Sequence, residues 1–152
     1  MRFNYWIVAS IATLIFTFAY FFLNPSYELS LEAKFHYAMG DYKTAQQKAT
    51  KAFKMNKYNR MASMVMTQSQ TAMKFVNYID EAKKYMSEIA KIASGDGVSD
   101  ADRAKVKMMC EIMIESYVKI APTVLTDKEL IQEASDYNQK FKKLYDEITP
   151  KI

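Results

Sequence analysis

The sequence predicts an all-α protein, and three observations carry that expectation. Only three of its 152 residues are glycine and three are proline, too few turn-makers for a hairpin-rich β fold. After Pro25 the apolar residues recur at three- and four-residue spacing along most of the chain. Before Pro25 they form one nearly unbroken run instead. With 50% hydrophobic and 25% charged residues the composition is globular rather than disordered, and the length suits one ordinary domain beyond that run.

The first element is Trp6 to Leu23, WIVASIATLIFTFAYFFL, which lies in a stretch without charge between Arg2 and Glu28. At about 1.5 Å per residue, a helix over residues 6–23 with its Tyr and Trp flanks crosses a hydrocarbon core of roughly 30 Å. It ends in the bulky Tyr20-Phe21-Phe22-Leu23 and offers no A-x-A-like site before Asn24-Pro25. Residues 1–25 are therefore expected to persist as a signal anchor, a transmembrane helix rather than a cleaved leader. Arg2 and the terminal amine lie on one side, and Lys34 and Lys43 are the nearest cations on the other. A tail this short is expected to stay inside, leaving residues 26–152 outside the cytoplasm. In a bacterium that is a single-pass inner-membrane protein with its C-terminal domain in the periplasm. Arginine occurs only at Arg2, Arg60 and Arg103, a lysine bias that fits an AT-rich genome. Cys110 is alone, so no disulfide framework is implied, and Asn24-Pro25-Ser26 is barred as a glycosylation sequon by its proline.

Past Pro25, Leu29, Ala33, His36/Tyr37 and Met39/Gly40 trace one helical face, and Gly40 is a natural stop. A second stripe, Tyr42, Ala45, Ala49, Ala52 and Phe53, restarts at once, so the two helices must fold back on each other. Alanine at three inward positions allows close approach. These residues resemble a tetratricopeptide repeat. Ala33 matches the small residue of its helix A, Gly40-Asp41-Tyr42 the turn that opens helix B, Ala45 and Ala52 its two alanines, and Phe53 to Asn59 its exit. Lys57 stands where the family's proline is usual and His36 where an aromatic is usual. The match covers Ser26 to Asn59. The resemblance implies stacked helical hairpins whose concave face binds a protein partner through helix A residues. Those are Tyr27, Ser30, Lys34 and Tyr37 here, with Ser63, Thr67, Gln70 and Thr71 extending the groove.

Further on, Ala62, Val65/Met66, Ser69, Ala72/Met73 and Val76 form one stripe, and Ile79, Ala82/Lys83, Met86, Ile89/Ala90 and Ala93 the next. A modified turn is expected at Asn77 between them, because Phe75-Val76-Asn77-Tyr78 is poor in strong helix formers. Ser94-Gly95-Asp96-Gly97 is a loop, and Ser99 with Asp102 has the spacing of a capping box. The helix after it carries Val106, Cys110, Met113, Tyr117 and Ile120 and stops before Pro122. Thr126 to Glu129 reads as a second capping box, opening a helix that carries Leu130, Ala134, Tyr137, Phe141, Leu144 and Ile148. Residues 26–152 are thus expected to form three hairpins, about 26–58, 59–94 and 99–149, the last capping the stack.

Nothing in the sequence marks an enzyme. His36 is the sole histidine and lies in a packing stripe, and no nucleophile motif accompanies it. The pairs Asp80-Glu81 and Asp146-Glu147 diverge by about 100° on a helix and do not converge on a substrate. No cofactor is expected. Met61, Met64 and Met66 offer thioethers suited to Cu(I), which makes a periplasmic copper-handling protein the alternative reading. The chain nevertheless holds 11 methionines, a habit that suits adaptable core packing.

Between Ala33 and Arg60 seven cations, Lys34, Lys43, Lys48, Lys51, Lys54, Lys57 and Arg60, face one acid, Asp41; that segment is +6 within a chain of +4. Such a basic patch suits anionic headgroups or an acidic partner. Nucleic acid is not expected, since the domain is tethered and lacks exposed aromatics interleaved with arginine. Together these features lead to a single-pass, membrane-anchored, tetratricopeptide-like scaffold that binds a protein partner. It would support assembly or stability of a bacterial envelope complex such as a translocon, a secretion system, a flagellar motor or a respiratory-complex assembly line.

Overall fold

The computed structural model describes residues 5–95 and 97–149, so the roles expected of Arg2 and Asp96 lie outside the described residues. Six helices and no strand are found among them: α1 Tyr5–Leu23, α2 Pro25–Ala38, α3 Tyr42–Met55, α4 Arg60–Ala93, α5 Asp100–Lys119 and α6 Lys128–Ile148. The chain divides within α4 into two compact units, residues 1–70 and 71–152.

In the first unit, α2 starts where Asn24 accepts a hydrogen bond from the Ser26 N–H at 3.1 Å, with Pro25 in the first turn. It ends in a Schellman motif: Gly40 adopts φ +79°, its N–H reaches the Tyr37 carbonyl at 3.1 Å, and the Asp41 N–H reaches the His36 carbonyl at 2.9 Å. Asp41 then caps α3 by accepting from the Thr44 N–H at 3.1 Å. Three residues thus close one helix and open the next. A Cβ at Gly40 meets nothing within 4 Å, so glycine is required there by backbone conformation and not by space. The alanine seam is as expected, since Ala33, Ala45, Ala49 and Ala52 are fully buried and Val65 of α4 completes the cluster.

The inward line of α2 differs from the expected one. Leu29 is only half-buried, whereas Ser26 and Ser30 are buried, and both are bound to Asn59. The Asn59 side-chain amide donates to the Ser26 carbonyl at 3.1 Å, the Ser26 hydroxyl at 3.0 Å and the Ser30 hydroxyl at 3.2 Å. Its carbonyl oxygen accepts from the Ala62 N–H at 3.1 Å, which caps α4. Ser26 in turn donates to the Ala52 carbonyl at 2.9 Å. One buried amide therefore ties together the start of α2, the end of α3 and the start of α4.

The hairpin expected over residues 59–94 does not form, because α4 is one 34-residue helix running through Asn77. Ala62, Val65, Ser69, Ala72, Phe75, Ile79 and Ala82 are all buried at unbroken three- and four-residue steps, and Asn77 faces outward. The weak propensity of residues 75–78 amounts to tenths of a kcal/mol each. Burial of Phe75 and Ile79 at about 1.5 to 3 kcal/mol per large side chain outweighs it.

In the second unit, Phe75, Tyr78, Ile79 and Ala82 of α4 pack with Val106, Cys110 and Met113 of α5 and Ala134 and Phe141 of α6. The α5 and α6 seams are those read from the sequence, but they close around a third helix rather than forming a hairpin alone. Ser99 and Asp102 make both halves of their capping box, at 3.1 Å each. The box expected at Thr126 is replaced. Thr126 is buried and its hydroxyl accepts from the Thr123 N–H at 2.8 Å, while Asp127 caps α6 through the Glu129 N–H at 2.9 Å. Lys83 of α4 pairs with Glu133 of α6 at 2.9 Å.

Among the described residues no single helix is long and apolar enough to cross a membrane by itself. The 19 residues of α1 rise only about 28 Å. Tyr5–Tyr20 and Pro25–Ala38 meet the requirement together, bent by 72° at the break between them.

Two outcomes are expected from this packing. Ala45→Leu places a larger side chain in the closed α2–α3 seam and is expected to lower stability by roughly 1 to 3 kcal/mol in urea unfolding; an unchanged midpoint would contradict the close approach. Cys110 is fully buried, and burial pushes its thiol up to about 11, aided by Glu111. At pH 8 it is expected to react with a thiol reagent only as fast as the second unit opens, and at once in denaturant. Immediate labelling of the folded protein would contradict that core.

Candidate partner-binding surface and anchor helix

Every described side chain of α1 is exposed except Ala12 and Ala19, which are half-buried. Trp6 is 86% exposed, Leu14 70% and Phe16 76%. Its serine and two threonines turn back onto the helix itself, Ser10 donating to the Trp6 carbonyl, Thr13 to the Ala9 carbonyl and Thr17 to the Thr13 carbonyl, each at 2.8 Å. The outer surface of α1 is thus apolar around its circumference. The helix touches α2 near its end, where the Tyr20 and Tyr27 rings lie 6.5 Å apart.

The groove expected from helix A is not assembled as a unit. Ser30 is buried, donating to the Tyr27 carbonyl at 2.9 Å while it accepts from Asn59, so it serves the fold rather than a partner. Tyr37 is half-buried, packed on the alanine cluster with its ring 5.3 Å edge-on to Tyr42. Tyr27 is half-buried, and Lys34 is exposed. On α4, Ser63 is half-buried and Thr67 and Gln70 are exposed, with the Thr67 hydroxyl donating to the Ser63 carbonyl at 3.0 Å. Thr71 falls in the second unit.

What the structure does bring together is an open concavity of about 530 Å³ lined by Lys57, Tyr58, Arg60, Ser63, Met64 and Thr67. The turn from Asn56 to Asn59 builds its rim. Asn56 accepts from the Tyr58 N–H at 3.0 Å and the Asn59 N–H returns to the Asn56 carbonyl at 3.1 Å, an Asx turn that reverses the chain without a proline. This leaves Tyr58 92% exposed between two cations at the start of α4, where the helix end adds partial positive charge. Tyr58 was not legible as a site residue, its only signal being an aromatic inside a polar turn. A second concavity of about 360 Å³ on α3 is lined by Gln46, Gln47, Thr50, Lys51 and Lys54.

The basic patch therefore sorts into parts. Lys51 and Lys54 line one hollow and Lys57 and Arg60 the other, while Lys43 is exposed at the start of α3. Lys48 is paired with Glu32 of α2, and that hydrogen bond and charge hold the Glu32 carboxyl below its usual range. His36 is not packed inside as expected. It is half-exposed, with Nδ1 3.1 Å from Asp41 Oδ2. The hydrogen bonds from Thr44 first, and then His36, hold the Asp41 carboxyl low.

The methionine trio is split. Met61 and Met66 pack on the alanine cluster, and Met64 is 44% exposed in the first concavity. Positions 61 and 66 lie about 140° apart on a helix, so the three thioethers do not share one face. No group of three or more His, Cys, Asp or Glu among the described residues is placed to hold a metal ion.

No protein family, curated protein or solved structure matches this chain. The repeat resemblance rests on the residues of the first hairpin alone, and the described residues form an all-helical protein of six helices with short connections, compatible with a helical-repeat fold.

Proposed function

We propose that this chain is a membrane-anchored, tetratricopeptide-like interaction module in which α1 sits in a bilayer and the first unit presents a basic hollow to an acidic segment of a protein partner. The observation that carries the reading is α1 itself: a helix with apolar side chains bare on all sides, whose serine and two threonines are bonded to its own backbone, suits hydrocarbon and not water. A rise of about 28 Å falls just short of the bilayer core, a mismatch that local thinning accommodates at small cost. Tyr5, Trp6 and Tyr20 stand where interfacial aromatics belong. In this reading the protein is held in the inner membrane of a bacterium, its helical domain is periplasmic, and it helps to assemble or stabilise an envelope complex.

For the partner, Tyr58 offers rigid contact area at low entropic cost, and Lys57 and Arg60 flank it. Exposed cations speed encounter with a negative partner and lose influence as salt rises. The test uses the full-length protein in its native membranes. It is expected to resist alkaline carbonate extraction and to crosslink to a partner whose yield falls on the double change Lys57→Glu and Arg60→Glu and with added salt, while helicity is kept. Release by carbonate would defeat the anchor. A crosslink indifferent to both charge reversal and salt would defeat the basic hollow as the docking surface.

A further inference from the structure

The helix α2 has a buried side and, opposite it, an exposed apolar one. Ser26, Ser30, Ala33 and Tyr37 face α3 and α4, yet Leu31, Phe35 and Met39, at four-residue spacing on the reverse side, are 58%, 64% and 70% exposed. A helix that buries one stripe is ordinary; a second stripe of three large apolar side chains pointing straight away from the core is not needed for folding. We propose that this outer face of α2 lies on the lipid surface, as an interfacial helix that follows the anchor directly. The inference rests on α1 being inserted in the bilayer.

Four features select lipid over another protein as the occupant. The stripe begins eight residues after the end of α1, so tethering alone keeps it at the membrane. The 72° bend between the two helices lays α2 close to the membrane plane when α1 stands along the bilayer normal. Tyr20 against Tyr27 puts α1 on a flank of α2 and off its core face, and places both phenols where an aromatic belt belongs. The exposed Lys34 lies along the same flank as Tyr27, positioned for headgroup phosphates. Glu28 is the acid on the outer side, in the first turn, where a carboxylate complements the helix N-terminus. Insertion any deeper is ruled out, because the opposite face of α2 is committed to Asn59 and the alanine seam and its sides carry Glu32 and Lys34. The depth is that of an interfacial helix, at the boundary of headgroups and acyl chains.

The test places an environment-sensitive fluorophore on single cysteines in the full-length protein, reconstituted in vesicles of phosphatidylethanolamine and phosphatidylglycerol. Cys110 is buried and left unlabelled. The sites are Ile15→Cys in α1, Phe35→Cys in the outer stripe and Gln47→Cys on exposed α3. Quenching is read with lipids spin-labelled high or low on the acyl chain and with aqueous iodide. The expected pattern is deep quenching at 15, shallow-lipid quenching with a blue shift at 35, and quenching only by iodide at 47. If 15 is lipid-quenched while 35 responds only to iodide, the anchor stands and the interfacial helix is overturned. If 35 is shielded from both quenchers and crosslinks to a second copy or another protein, the stripe is a protein interface and the proposal is likewise overturned. If 15 itself is reached only by iodide, the anchor and the inference built on it fail together.

Discussion

Asn59 is the constraint on which the first unit depends. Its amide is buried, and a buried amide without partners costs several kcal/mol. It is satisfied only when Ser26 and Ser30 of α2 and the Ala62 N–H of α4 converge on it, while Ser26 reaches the last turn of α3. Apolar alanines would tolerate sliding of one helix along another. The hydrogen bonds do not, so the polar node fixes axial register where the alanine seam fixes only the distance between helices.

That division explains which parts of the fold were legible in the sequence. The turn at Gly40-Asp41-Tyr42, the alanine seam and the Ser99 capping box are local signals, each set by a backbone conformation or a spacing within four residues, and all three stand as read. The α5 and α6 stripes were equally plain. Asn59 was not, because a buried asparagine and an exposed one look alike until the partner serines are known. Ser30 is ambiguous for the same reason: its position on helix A is polar in pattern and interior in fact. The continuity of α4 is not a local signal either: the weak propensity of residues 75–78 is worth tenths of a kcal/mol, and burial of Phe75 and Ile79, which no local pattern reveals, outweighs it.

The candidate surface follows from the same node. By capping α4 and closing the Asn56–Asn59 turn, Asn59 holds Tyr58 outward and sets Lys57 and Arg60 on either side of it. The basic hollow is therefore a product of the turn and not of helix A, whose Ser30 is buried and whose Tyr37 is packed on the alanine cluster. With its inner face occupied by the node and the alanine seam, α2 leaves Leu31, Phe35 and Met39 exposed on its reverse side.

The most direct measurement of this account is a double-mutant cycle between Asn59→Ala and Ser26→Ala, read as the opening free energy of α3 amides by native-state hydrogen exchange, which isolates the first unit. If the node acts as one interaction, either change breaks it, and the double variant is expected to lose scarcely more than the worse single one, a coupling of roughly 1 to 3 kcal/mol. Losses that simply add would show that Asn59 and Ser26 stabilise the unit independently and would contradict the node as the element that sets its register.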